Sequence, residues 1–273
     1  MSYSDDDFPS DVADQPELVT IERDGDIVTL TINRPDVMNC LSFPTLKRLR
    51  MLCAQLKQDL TVRAILLTGA GEKAFCAGAD LKERKTMPME RVPLFVKNIR
   101  RTMDDVEALP QPTIALLNGV AFGGGTELAL SCDLRVAAPH AQLGLTETSL
   151  AIIPGAGGTQ RLPRLIGKAR AKDLILTGRK LGAEEAERIG LVNRIAPAGK
   201  LREAGLELAR AIAANGPVAV RAAKRAIDEG CEQPIARGLQ VEAACYDLVL
   251  PTSDRLEALA AFSEKRAPKY LGK

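Results

Sequence analysis

The sequence predicts an α/β core followed by a helical region. Three observations predict it: an opening pair of alternating apolar runs, strands that alternate with helical patterns through the middle, and an Ala-rich, strand-free pattern after Pro197-Ala198-Gly199. The expected division is a disordered acidic arm over residues 1–16, the α/β core over 17–198 and a C-terminal helical oligomerisation region over 199–273.

The arm carries Asp5, Asp6, Asp7, Asp11 and Asp14 with few apolar anchors, a composition that cannot offset the entropy of ordering. Val19 and Ile21, then Val28, Leu30 and Ile32, alternate with polar residues around Asp24-Gly25, which predicts a β-hairpin. After Ser42, an N-cap candidate, Leu46, Leu49, Cys53, Leu56 and Leu60 recur at helical spacing before an apolar strand over 64–68, giving a ββα unit. A helix over 92–109, a strand over 113–117, a short helix over 125–131 and a strand over 134–137 continue the alternation. Beyond residue 199, helices are expected over 201–214, 218–229, 235–250 and 255–265. Several of their apolar residues need a partner to cover them, which predicts a homo-oligomer.

Charge and cysteine usage exclude several classes. Lys plus Arg number 37 against 35 Asp plus Glu, a net charge of +2, so no global field draws the chain to nucleic acid or an anionic membrane. No apolar run approaches membrane-spanning length, and the N-terminus lacks a secretory pattern. The six cysteines form no C-x-x-C pair, which argues against a metal site or a disulfide framework and for reduced thiols in the cytoplasm.

The absent chemistries narrow the mechanism further. The single histidine, His140, stands in Pro139-His140-Ala141 and reads as a surface turn, so Ser-His-Asp and Cys-His catalysis are not expected. No phosphate-binding loop is present, and Gly155-Ala156-Gly157-Gly158-Thr159-Gln160 lacks the last glycine of a dinucleotide fingerprint. Two Gly-rich turns remain, Phe75-Cys76-Ala77-Gly78-Ala79-Asp80 and Phe122-Gly123-Gly124-Gly125-Thr126-Glu127. Small residues let a ligand approach the backbone, and amides at the start of a helix favour negative charge. Each turn alone also fits a plain tight connection. Glu127 and Glu147 each alone fit a cap or helix-dipole residue; together they suggest paired carboxylates, one activating water and one delivering a proton.

Asn33-Arg34-Pro35, Phe75 to Asp80, Phe122 to Leu128 and Ile153-Pro154-Gly155-Ala156-Gly157-Gly158-Thr159-Gln160-Arg161-Leu162 resemble the crotonase (enoyl-CoA hydratase/isomerase) superfamily over nearly the whole chain. Ala77 to Arg84 and the closing run from Pro251 to Arg266 resemble its methylglutaconyl-CoA hydratase branch, whose animal member also binds AU-rich RNA. The resemblance implies a spiral of ββα units and C-terminal helices that build trimers or hexamers. It also implies an acyl-CoA thioester substrate, in lipid or fatty acid metabolism, with no cofactor beyond the CoA carried on that substrate. It places the oxyanion hole on the amides of Ala77 and Gly124, substrate binding on Ala77, Gly78, Ala79, Asp80 and Gly124, and catalysis on Glu127 and Glu147. Lys82, Arg84, Lys265 and Lys269 become candidates for the CoA phosphates.

The pair of glutamates favours hydration over the alternatives of isomerisation or thioester hydrolysis, which other branches carry out with one acid or with an acid placed elsewhere. RNA binding is the alternative of another class. Its support is a basic first helix with Lys47, Arg48, Arg50 and Lys57; against it stand the interrupting Met51 and an aromatic content of 3%.

Overall fold

The computed structural model describes residues 3–4 and 7–273, and places two sheets at the centre of an α/β fold. β1 (Val19–Asp24) pairs antiparallel with β2 (Ile27–Ile32), with Asp24 opposite Ile27. The two-residue turn is therefore Gly25-Asp26, one position beyond the expected Asp24-Gly25, with Gly25 at φ 61° supplying the left-handed residue. From β2 the sheet continues in parallel through β3 (Ala64–Gly69), β5 (Thr113–Leu117), β7 (Leu134–Ala137) and β10 (Arg194–Ile195).

The second sheet orders β4 (Ala74–Cys76), β6 (Val120–Phe122), β8 (Gln142–Gly144) and β9 (Leu181–Gly182). From β3, β5 and β7 of the first sheet the chain crosses in turn to β4, β6 and β8 of the second, so successive turns stack as a spiral. The short strands of the second sheet escape a sequence reading because each is only three residues or fewer, too short for an alternating period to register.

β2, β3 and β5 are apolar almost without interruption because both faces of the first sheet are covered. One face meets α1 (Phe43–Gln58) and α3 (Val92–Glu107), and the other meets α8 (Leu201–Ala213), whose Leu208 and Ala209 pack with Leu66, Ile114 and Leu116. Helix α8, expected to belong with the C-terminal appendage, therefore forms part of the core. Ser42 caps α1 as expected, its hydroxyl accepting the Thr45 amide at 3.4 Å.

The acidic arm departs from expectation over its described residues. Phe8 and Val12 are buried, and Phe8 meets the ring of Phe43 edge-on at 6.4 Å. Asp7 pairs with the fully buried Arg50, Asp14 with Arg48, and Asp11 with Arg91. Two apolar anchors and a buried guanidinium that needs acidic partners hold the segment down, where composition alone reads as disorder. Met1, Ser2, Asp5 and Asp6 lie outside the described residues.

Candidate active site

The ends of β4 and β6 bring the two Gly-rich turns together. Gly78 adopts φ 98°, and a Cβ there would lie 2.8 Å from the carbonyl oxygen of Phe122, so only glycine permits the turns to touch. Gly123 adopts φ 52° as the residue just before α4 (Gly124–Leu130); a Cβ there would sit 3.1 Å from Oε1 of Glu147.

The first turn corrects one assignment. The amide of Ala77 donates to the carbonyl of Met38 at 3.0 Å and is not free to hold a substrate oxygen. Past Gly78 the chain bridges Leu41, with Leu41 N donating to Gly78 O at 2.8 Å and Asp80 N donating to Leu41 O at 2.9 Å. The Ala79 amide takes no part in that bridge. Gly124 is the first residue of α4, where helix geometry leaves the amide without an intrahelical acceptor. A Cβ on Gly124 would lie 3.8 Å from Ala79 N, so the amides of Ala79 and Gly124 stand side by side. No local pattern separates Ala77 from Ala79, because the turn at Met38 that consumes the Ala77 amide is distant in sequence.

Asp80 serves the frame. Its Oδ1 accepts the amides of Lys82 and Glu83 at 3.1 and 3.2 Å and caps α2 (Leu81–Thr86), while Oδ2 pairs with Arg34 at 2.9 Å.

Glu127 lies in the first turn of α4 and is 2% exposed. Its Oε1 accepts the amides of Ala156 and Gly158, each at 2.8 Å, where the chain enters α5 (Gly158–Ile166). Burial raises its carboxyl above the usual range, and the two amides oppose that rise. Glu147 opens a short 3-10 turn and is also buried; among the described residues its Oε2 has no hydrogen-bond partner. Burial, then the charge of Glu127, pushes it up to about 7.

Both glutamates line one open cleft of about 2420 Å³, together with Gly78, Ala79, Gly124 and an apolar wall that includes Val96, Ile99 and Ile152. The arrangement sets two acids of unlike environment against two free amides, which suits proton transfer beside a carbon chain whose carbonyl gains negative charge.

The motif from Ile153 to Leu162 carries a role that sequence reasoning left open. Its amides fix Glu127, and Arg161 locks the turn to α3 by bonding Ala156 O at 2.9 Å while pairing with Asp104 and Glu107. Its glycines and its place among the four family-like motifs marked it in the sequence without giving it a role.

Other candidates lie apart. His140 is exposed and sits 3.1 Å from the carbonyls of Glu72 and Asn118, tying two loops. Arg84 lines the cleft; Lys82, Lys265 and Lys269 do not. The basic helix is largely occupied: Arg50 is buried, Arg48 pairs with Asp14, and Lys47 donates to Val12 O at 3.0 Å. Among the described residues no acidic, His or Cys cluster could hold a metal ion, and no helix is long and apolar enough to cross a membrane.

Residues 22–273 match the family described as enoyl-CoA hydratase/isomerase. Human mitochondrial methylglutaconyl-CoA hydratase is 49% identical over 255 residues, which span 92% of this chain and 75% of that protein. Human mitochondrial enoyl-CoA hydratase domain-containing protein 2 is 48% identical over 254 residues, 92% of this chain and 87% of that protein. The crystal structure of an enoyl-CoA hydratase from Bacillus anthracis superposes with a TM-score of 0.93 at 53% identity, covering 94% of this chain and all of that one.

Proposed function

This chain belongs to the enoyl-CoA hydratase/isomerase family, and from that premise we propose that Glu127 and Glu147 add water to an enoyl-CoA thioester held by the amides of Ala79 and Gly124. The activity is that of an enoyl-CoA hydratase, a hydro-lyase, on a crotonase-type spiral.

The observation that carries the assignment is the contrast between the two acids: Glu127 is fixed by two amide donors, and Glu147 presents an unpartnered oxygen. The donors favour the ionised form of Glu127, and burial beside that charge favours the neutral form of Glu147. Glu127 takes a proton from water as the hydroxide oxygen bonds to the β-carbon. The electron pair of the double bond moves onto the thioester oxygen, where the amides of Ala79 and Gly124 receive it. Glu147 then gives its proton to the α-carbon. Both acids serve one face, so the addition is syn, and a proton passing from Glu127 to Glu147 through the next water restores the pair. The step calls for no cofactor beyond the CoA already on the substrate.

Purified protein is expected to consume the conjugated absorbance of crotonyl-CoA and to release 3-hydroxybutyryl-CoA. Formation of the non-conjugated isomer or of free CoA in its place would overturn hydration in favour of isomerisation or hydrolysis.

Two wider readings belong to the same proposal. The apolar side chains left exposed on α9 (Pro217–Gly230), α10 (Ile235–Asp247) and α11 (Ser253–Glu264), among them Ile227, Ile235 and Phe262, support a trimer or a pair of trimers. Six unpaired cysteines support a reducing compartment, for which we propose the cytoplasm, with a role in lipid metabolism.

A further inference from the structure

We infer that Arg100 is a specificity-determining residue that receives a second, distal carboxylate on the acyl group, so that the thioester this site prefers is a dicarboxylic enoyl-CoA. The inference rests on the hydratase reading and adds the substrate class to it.

Helix α3 carries Arg100 to the cleft one turn from Val96 and beside Ile99. Its Nε donates to the carbonyl oxygen of Gly155 at 3.0 Å. That carbonyl and the amide of Ala156 belong to one peptide unit, and the amide donates to Oε1 of Glu127 at 2.8 Å. The guanidinium is therefore anchored one peptide away from a catalytic carboxylate. Anchoring through Nε leaves both terminal nitrogens, the fork that matches a carboxylate, for another partner.

The neighbouring cations have already spent their charge. Arg161 pairs with Asp104 and Glu107, Arg164 with Glu232, and Lys224 with Asp133. Among the described residues Arg100 meets no carboxylate within ion-pair distance, although it lines the same cleft. Nor is it needed as a hydrogen-bond donor to Glu127, which two amides already serve.

A cleft holding two buried acids repels an anionic acyl group unless a cation offsets them. Among the described residues four further cations along the cleft lack an acidic partner within ion-pair distance but occupy other places: Arg135 is buried and donates to backbone carbonyls, Arg221 on α9 donates to the carbonyl of Leu60, and Lys180 and Arg84 remain. Lys180 sits 4.3 Å from the centre of the Phe122 ring, next to the Gly123-Gly124 turn and hence on the thioester side of the glutamates. Arg84 stands on α2, behind the Ala79 turn. Arg100 is on the Glu127 side, where its charge acts on that carboxylate, and in this proposal the acyl chain runs past the double bond along Val96 and Ile99 of the same helix, which line the cleft with it.

The test compares kcat/KM on 3-methylglutaconyl-CoA and on crotonyl-CoA for the wild type, Arg100→Met, Arg100→Lys and Lys180→Met. The wild type is expected to prefer the dicarboxylic substrate. Arg100→Met should lower the ratio of the two specificity constants by roughly 100-fold, mainly through KM on the dicarboxylic substrate, as loss of a charge-assisted pair implies. Arg100→Lys should fall between, and Lys180→Met should leave the ratio unchanged. An equal fall on both substrates in Arg100→Met would make Arg100 a support for the Gly155–Ala156 peptide alone and overturn the inference, as would a wild type without preference. Failure of the wild type to hydrate either substrate sinks the hydratase reading instead. Calorimetric binding of the saturated analogues then decides on Arg100 without turnover: glutaryl-CoA should bind the wild type more tightly than butyryl-CoA does, and Arg100→Met should abolish the difference.

Discussion

Replacing Glu127 by glutamine separates the chemistry of this carboxyl from its structural part. Oε1 accepts two amides at 2.8 Å, and a glutamine carbonyl oxygen keeps both bonds. The substitution removes a charge from a residue that is 2% exposed, which relieves desolvation and the repulsion of Glu147. Stability should therefore hold or rise, while loss of the general base lowers the hydration rate by roughly 10²- to 10⁴-fold. Glu127→Ala leaves the same two amides without an acceptor, at about 1–3 kcal/mol each where water does not replace the oxygen. The assay is the initial rate of crotonyl-CoA absorbance loss alongside thermal melting. A Glu127→Gln enzyme within tenfold of wild type would refute the base assignment. A loss of rate matched by a fall in melting temperature would show that the carboxyl acts through the fold.

Glu147→Gln tests the acid and carries a pH signature. The folded-state value of about 7 lies above the ordinary 4.5, so the folded chain binds the proton more tightly and wild-type stability declines as pH rises from 4.5 through 7. The decline amounts to about 3 kcal/mol at full ionisation, so Glu147→Gln should melt higher than wild type at pH 8 and show no such advantage at pH 4.5; denaturant titration at both pH values checks it. If Glu147 delivers the proton, wild-type kcat/KM on crotonyl-CoA should also fall as pH rises through about 7, read from a pH–rate profile. Phe8→Ala should cost about 2–4 kcal/mol by removing a buried ring against Phe43 and loosening the segment that pairs with Arg50, measured by urea unfolding. Light scattering should give three or six times the 29.3 kDa chain mass, and a monomer would leave the exposed Phe262 and Ile235 without the partner argued for them.

What the sequence disclosed, and what it withheld, follows from the range of the interactions involved. The Ser42 cap, the α1 stripe and the strand at 64–68 were legible because their signals are local: a hydroxyl before a helix, apolar residues three and four apart, and an uninterrupted run closed by glycine. The second sheet was not, since strands as short as Ala74–Cys76 carry too few residues for a period to register. The acidic arm misled for a related reason. Its charge is visible in composition, but the buried Arg50 that calls for Asp7 appears only after α1 and α3 have packed.

The candidate site divides along the same line. Glu127 and Glu147 stand out through the glycines and small residues around them, and both do line one cleft. Which amides face that cleft is a matter of hydrogen-bond consumption across distant segments. Met38 takes the amide of Ala77, Leu41 takes that of Asp80, and of the two amides between them that of Ala79 stands beside Gly124. The same reasoning gives the run from Pro154 to Gly158 its part. Two of its amides fix Glu127, and the carbonyl of Gly155 anchors Arg100, so a single turn aligns the base and holds the cation that discriminates among acyl groups. Substitutions that shift this turn should therefore change rate and selectivity together, whereas changes at the free end of Arg100 should alter selectivity with a smaller effect on rate.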